Sequence, residues 1–362
     1  MQGKGYFIWK IRYCEGGDVE AIADLAAESQ YTHAIIKVAD GSRTYNLHPE
    51  TGADLVVPLV KALREREIEP WGWQYIYGYD PIDEADKAIQ RVRQFDLDGF
   101  VVDAEAEFKK PGMQRVASQY MNRLSAGLPD TPIALSSYRF PSYHPRIPWD
   151  EFLKKSDLAM PQVYWEQSNN PAVQLERCVN EYQTMPYSRP VIPTGSAYRR
   201  GEWRTTPEHI VEFMEKALEL NLPAANFWEW AHTRRYLPET WEAVSDFYWP
   251  VKSEENLLVR YLRALNEHNW KEIAGLYTEQ AVHVTNSETI KGREEIARWY
   301  RNFFTEVMPN GVFYKTNLIG NGSIRHMTWT AQSSAGEINF GSDTLALEDG
   351  LINYHYSFYI IT

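Results

Sequence analysis

Three acids recur at every second position in DGFVVDAEAEF, residues 98–108: Asp103, Glu105 and Glu107. They follow directly on an apolar run, Phe100-Val101-Val102. In an extended chain, residues two apart share a face, with Cα atoms about 6.5 to 7 Å apart. If Val101 points into a core, Asp103 and Glu105 point the same way, while Phe100, Val102 and Ala104 take the other face. Two carboxyls converging in a partly enclosed space raise each other's affinity for a proton. One of them can then stay protonated near neutral pH, as general-acid work on a glycosidic oxygen requires. The plainer alternative is that the acids form ion pairs with Lys10, Lys37 or Arg139. Inward acids ending an apolar strand are costly to bury unpaired, which favours the chemical role. Glu107 is expected in the loop beyond, solvated.

The elements that must position these acids are readable along the first 250 residues. Eight short apolar runs alternate with amphipathic patterns: 5–11, 33–40, 70–78, 99–105, 132–138, 158–165, 190–198 and 225–230. Between them, DVEAIADLAAES, LVVPLVKALRERE, DEADKAIQRVRQF, MQRVASQYMNRLS and PEHIVEFMEKALEL repeat apolar residues at three and four, as helices with one buried face do. Eight strands alternating with helices over that length predict an α/β fold, a (β/α)8 TIM barrel spanning 1–250. A doubly wound open sheet is the alternative. It usually has fewer strands, and no Gly-rich phosphate turn follows the first strand here.

Function in such a barrel gathers at the C-terminal strand ends. Besides the acids, those ends offer Gln74, Tyr75 and Tyr77, then Ser137 and Tyr138. The later strands add Met160, Gln162, Tyr164, Trp165, Ser196 and Tyr198, and finally Trp228, Glu229 and Trp230. Aromatic faces, amides and hydroxyls around acids suit sugar recognition, and the chain is rich in both large aromatics, with 13 Trp and 23 Tyr. Taken singly, each ring reads more readily as core.

At this point the chain resembles the barrel glycoside hydrolases that attack N-acetylated sugars. Family 18 chitinases carry D-G-x-D-x-D-x-E on strand four. Here Asp98, Gly99, Asp103 and Glu105 match and the middle Asp is Val101. Family 25 lysozymes share the D-x-E, again Asp103 and Glu105. The resemblance implies that Glu105 is the general acid and that Asp103 orients a substrate acetamide acting as internal nucleophile. The run MPQVYW and Trp228 are similar to these families too. One departure stands out: where family 25 places an Asp on strand one, this chain has Trp9-Lys10-Ile11. Lys10 would pair with an acid and favour its ionised form. The reading therefore stays open between a hydrolase of N-acetylhexosamine glycan, peptidoglycan or chitin-like, and a barrel that only binds glycan. In either, Lys10, Gln74, Tyr138, Gln162, Tyr164, Tyr198, Trp228 and Glu229 are the expected substrate-binding residues.

Strand–helix alternation stops near YWPVKSEEN, 248–256. The remainder, 251–362, predicts two helices (EENLLVRYLRALNEHNW, KEIAGLYT), a short strand AVHVT and a helix REEIARWYRNFFTEV. An antiparallel meander closes it, making a smaller α+β domain. RALNEHNW, AVHV, IKGREEIARWY and GSDTLALEDGLINYHYSFY resemble the SnoaL-like group of the nuclear-transport-factor-2 superfamily. That resemblance implies a cone with a pocket between sheet and helices, in a superfamily of isomerases, cyclases and non-catalytic dimerisation modules. Tyr277, His283, Trp299, Trp329, Asp343 and His355 are its candidate pocket groups. Asp343 and a histidine could abstract a proton beside a carbonyl. Alternatively the domain covers the barrel mouth or pairs two chains, with INYHYSFYIIT supplying a sheet face for a homodimer.

A net charge of -12 argues against nucleic acid or an anionic membrane as the main partner. Two cysteines, Cys14 and Cys178, form neither a disulfide framework nor a zinc pattern. Nine scattered histidines lack metal spacing, GxSxG is absent, and no cofactor is expected. No apolar stretch spans a membrane, and no signal segment opens the chain. A cytoplasmic protein, or a mature or trimmed form, is the expectation.

Overall fold

The computed structural model describes residues 1–249, 257–319, 323–348 and 350–362. The chain divides into two compact units, Met1–Val251 and Lys252–Thr362. Residues 250–256, on which most of the expected boundary falls, lie outside the described residues, as do Gly320-Asn321-Gly322 and Asp349.

The first unit is a closed barrel of eight parallel strands. They are β1 (Gly3–Ile8), β2 (His33–Asp40), β3 (Glu69–Tyr75), β4 (Gly99–Asp103), β5 (Ile133–Tyr138), β6 (Leu158–Val163), β7 (Thr194–Ser196) and β8 (Ala224–Trp228). Each pairs with its sequence neighbour, and β1 closes the ring by pairing with both β2 and β8. Most strands stop short of the apolar run that predicted them. Trp9, Glu105 and Tyr164 therefore lie one or two residues past the ladder, where the loops begin.

Alternation sorts side chains between two cores. Phe7, Ile35, Trp71, Trp73, Val101, Ala134 and Met160 fill the interior, while Phe100, Val102 and Ala104 pack against the helical layer. The interior is tight: a Cβ on Gly99 would sit 2.3 Å from the Trp71 ring, so only glycine fits at the start of β4. The helical layer includes Val19–Glu28, Val56–Arg64, Pro81–Phe95, Met113–Gly127, Pro171–Gln183 and Pro207–Glu219. Their starts follow the chemistry of orphan N–H groups: Asp18 accepts from the Glu20 and Ala21 amides, Asp80 from Asp83, and Thr206 and His209 form a capping box. At the bottom of the barrel the buried Lys4 ammonium donates to the Val244 and Phe247 carbonyls at 2.7 and 2.8 Å, and also to Ser245, at the end of helix Pro238–Asp246. Cys14 and Cys178 are both free and buried.

The second unit has helices Leu257–Asn266, Trp270–Gly275 and Arg293–Asn302, the last running on into a π-helical turn, Phe303–Val307. Its strands among the described residues are β9 (Tyr277–Val284), β10 (Thr289–Lys291), β11 (Val312–Ile319), β12 (Ile324–Ser333), β13 (Gly336–Glu348) and β14 (Leu351–Tyr359). The order is β10-β9-β14-β13-β12-β11. The sheet is not purely antiparallel as expected: β9 runs parallel to β14, with His283 opposite His355. That pairing lets the short strand read from AVHVT extend back to Tyr277, the end of the expected second helix.

Candidate functional site

At the C-terminal ends of the barrel strands lies a cavity of about 240 Å³. Asp103 ends β4 and is 6% exposed, and Glu105 sits just past it, half-buried. The Gln162 amide, from β6, binds both: Nε2 donates to Asp103 Oδ1 at 3.1 Å and to Glu105 Oε1 at 2.8 Å. A shared nitrogen confines those two oxygens to within about 6 Å of each other. Burial holds the Asp103 carboxyl well above the ordinary carboxylate range, the neighbouring Glu105 pushes the same way, and Lys37 opposes both. Burial also raises Glu105, against the Gln162 hydrogen bond, which favours its ionised form. The pair therefore keeps a proton to higher pH than two solvated acids would. Among the described residues neither acid has an ion-pair partner, so the alternative based on Lys10, Lys37 or Arg139 does not hold. Lys37 Nζ pairs with Asp40 Oδ1 instead, at 2.7 Å.

The wall is aromatic. Trp228 packs against Trp73, Phe7 and Trp9 with ring centroids at 5.4, 5.6 and 6.2 Å. Tyr75 and Tyr164 complete it, with Ser136 and Thr194 as the hydroxyls. Glu107 is not simply solvated as expected: the Tyr75 hydroxyl donates to its Oε2 at 2.5 Å, which half-buries the third acid beside the cavity.

Of the expected substrate-binding residues, Gln162, Tyr164 and Trp228 line this cavity. Five others are placed elsewhere. Lys10 lies beyond β1 with its ammonium over the Trp9 and Tyr13 rings; parity gives the inward place to Trp9. Gln74 faces the helices, where its amide bonds the Gly41 and Glu84 carbonyls and the Tyr120 hydroxyl, and Tyr75 takes the inward place. Tyr138 is covered at the rim by the His144 ring and Lys109 Nζ, each 3.8 Å from its ring. Tyr198 stands behind Tyr164, ring to ring at 5.4 Å, and donates to Glu166. Glu229 follows a cis peptide from Trp228 and caps helix Trp230–Tyr236, accepting from the His232 amide at 2.8 Å. The reading missed Phe7, Trp9, Lys37, Trp73, Ser136 and Thr194 as lining residues. Lys37 carried the clearest signal, a cation at inward parity in the otherwise apolar run AIIKVA, residues 34–39.

In the second unit, hydrogen bonds link most of the expected polar groups. Tyr277 joins the Tyr300 hydroxyl at 3.1 Å and His355 Nδ1 at 2.5 Å, and Ser357 bridges His355 and His283 at 2.9 and 3.0 Å. His283 and His355 stack at 4.2 Å. Burial, then the neighbouring His355, hold His283 well below the ordinary imidazole range, so it is neutral. Asp343 is 1% exposed; its Oδ1 lies 3.3 Å from His355 Nε2 without hydrogen-bond geometry, and Tyr261 donates to Oδ2 at 3.4 Å. Trp299 and Trp329 border the same interior, with Trp299 Nε1 bonded to Glu288. The free space there is about 10 Å³, room for roughly one water. Among the described residues no cluster of potential metal ligands occurs, and no helix is long and apolar enough to cross a membrane.

The family model of the SnoaL-like domain matches residues 258–355. Solved structures similar to part of the chain include a putative ketosteroid isomerase from Kribbella flavida, at 23% identity over 30% of this chain and 77% of that one, TM-score 0.27. An NTF2-like protein of unknown function from Cytophaga hutchinsonii aligns at 15% identity over 29% and 88%, TM-score 0.26. A putative polyketide cyclase from Sinorhizobium meliloti aligns at 12% identity over 28% and 93%, TM-score 0.26. No curated protein matches the chain. The chain is thus a closed parallel barrel followed by a second unit with its own sheet, within which residues 258–355 match the SnoaL-like domain.

Proposed function

We propose that the barrel is a glycoside hydrolase acting on N-acetylhexosamine-containing glycan, with Glu105 as general acid and Asp103 as its partner. The observation that carries this reading is the single Gln162 amide bound to both carboxyls inside a ring-walled cavity. Glu105 Oε1 is occupied by that amide, and Oε2 has no hydrogen bond among the described residues, which leaves it to meet a glycosidic oxygen. In the proposed reaction Glu105 gives its proton to the leaving oxygen as the C–O bond breaks. The substrate acetamide oxygen bonds to the anomeric carbon from the other side, and its N–H is held by Asp103. Water then opens the cyclic intermediate, losing a proton to Glu105 and restoring the acid. The two gripped oxygens lie within about 6 Å of each other, short of the roughly 6.5–9.5 Å that direct displacement by water uses, which suits an internal nucleophile better.

A second reading places proton transfer in the SnoaL-like domain, and the contact of Asp343 with His355 favours it. The filled interior weighs against it, since a substrate would first have to open the space.

The test is reducing-end release from peptidoglycan and chitin oligosaccharides by the full chain, beside Glu105→Gln and Asp343→Asn. Release lost in Glu105→Gln and kept in Asp343→Asn is expected. No release by the wild type, with the fold intact, would sink the hydrolase reading and leave a glycan-binding barrel.

A further inference from the structure

Glu107, the third acid of the run that ends β4, has no part in the proton transfers above, yet it is held beside them. It lies in the single turn Ala106–Lys109 that follows Glu105. That turn is pinned. The Phe108 amide donates to the Glu105 carbonyl at 3.1 Å, and the buried Phe108 ring packs on Phe152 at 5.1 Å. A carboxylate in a surface turn ordinarily reaches for water. Here Tyr75 meets it from the neighbouring strand, donating to Glu107 Oε2 at 2.5 Å while its ring lines the cavity. Burial, and then the bond to Glu107, push the Tyr75 hydroxyl well above the ordinary phenol range, so its one proton stays committed to that bond. Among the described residues Glu107 forms no ion pair. A half-buried carboxylate tied by a neutral donor, and by no cation, keeps its charge where water only partly screens it.

The groups facing Glu105 come from several elements. Asp103 precedes it on β4, Lys37 reaches in from β2, Tyr75 and Tyr164 wall the same cavity, and Glu107 and Lys109 share the following turn. Burial raises the Glu105 carboxyl most, the Gln162 hydrogen bond lowers it, Glu107 raises it and Lys109 lowers it. Lys109 Nζ sits over the Tyr138 ring at 3.8 Å, and among the described residues it forms no ion pair with Glu107 that would cancel the charge.

We propose that Glu107 is a positioning residue for the acid: held against the cavity wall by Tyr75, its negative charge keeps the proton on Glu105 until the leaving oxygen takes it. This rests on the hydrolase reading and adds what sets the upper pH at which that site works. Tyr75 is then a tether as well as a wall.

Carboxyl-carbon NMR of the full chain follows Glu105 without substrate, its signal identified by its loss in Glu105→Gln. Glu107→Gln keeps an acceptor for Tyr75 and removes the charge. It is expected to lower the proton affinity of Glu105 by about tenfold, the effect of one like charge at a partly screened site. The alkaline limb of glycan release should move to lower pH with it, while release on the plateau is kept. Tyr75→Phe lets the carboxylate turn to water and is expected to move the midpoint the same way by less. Lys109→Met is expected to move it the opposite way. A purely structural Glu107 would alter release without moving the midpoint, so an unmoved Glu105 midpoint in Glu107→Gln overturns the proposal. An unmoved midpoint in Tyr75→Phe overturns it too, since the tether would then do nothing. The expected displacement with no glycan release by the wild type would sink the hydrolase reading and leave this link between the carboxyls standing. Tyr75→Phe carries the test alone should Glu107→Gln fail to fold.

Discussion

Gln162 is the sharpest point at which to test how the acid pair is held. Gln162→Met keeps the side-chain volume and removes both donors, leaving Asp103 and Glu105 facing one another without an amide. A hydrogen bond to a charged group contributes about 1.5–3 kcal/mol. While the pair keeps one proton, one charged bond is lost at a time rather than two. The pair's proton affinity should then rise by about tenfold to a hundredfold. Carboxyl-carbon NMR of the full chain reads this titration directly, without substrate. The expected result is a midpoint displaced to higher pH with other carboxyls unmoved, and an alkaline limb of glycan release displaced the same way. No displacement would mean that the amide does not hold the acids. A displacement to lower pH would mean that the amide oxygen, not its nitrogen, faces them and stabilises the protonated form.

Two further outcomes follow from the same geometry. Gly99→Ala places a Cβ 2.3 Å from the Trp71 ring, and denaturant unfolding should show a loss of roughly 1–3 kcal/mol; an unchanged midpoint would show that the indole yields freely. Because burial raises both acids, the folded chain holds more protons than the unfolded chain between their unfolded and folded values. Stability from these groups is full below the unfolded carboxylate range and is lost as pH rises through the folded values. Asp103→Asn should therefore flatten the decline in melting temperature above pH 4, and an unaltered slope would place the decline in other groups.

The sequence made the acids readable because one inference, Val101 inward, carried Asp103 and Glu105 with it along a strand of period two. The same periodicity explains the misplacements. Lys10 for Trp9 and Gln74 for Tyr75 are slips of one residue, and one residue is the whole difference between cavity and helical layer. Glu229 failed for another reason: the chain had already left the strand, and an acid before Trp230 serves the amides of a new helix. In the second unit the helices were readable from their spacing, whereas the parallel pairing of β9 with β14 joins residues some seventy positions apart, which no local pattern encodes. Lys37 was the missed residue with a usable signal, a cation at inward parity that apolar neighbours do not explain.

The Lys4 ammonium and the β1–β8 pairing have a consequence for synthesis. The first strand finds its second neighbour only when β8 exists, and Lys4 finds its acceptors only at residues 244 to 247. A ribosome adding about 5–20 residues per second needs roughly ten to fifty seconds to make that stretch. Throughout that interval β1 has one open edge and an uncompensated charge destined for the interior. The nascent barrel is therefore a partly built sheet that cannot close by degrees. Its final helix acts as the latch, and whatever shields that edge until the latch is made decides how much of the chain reaches its folded form.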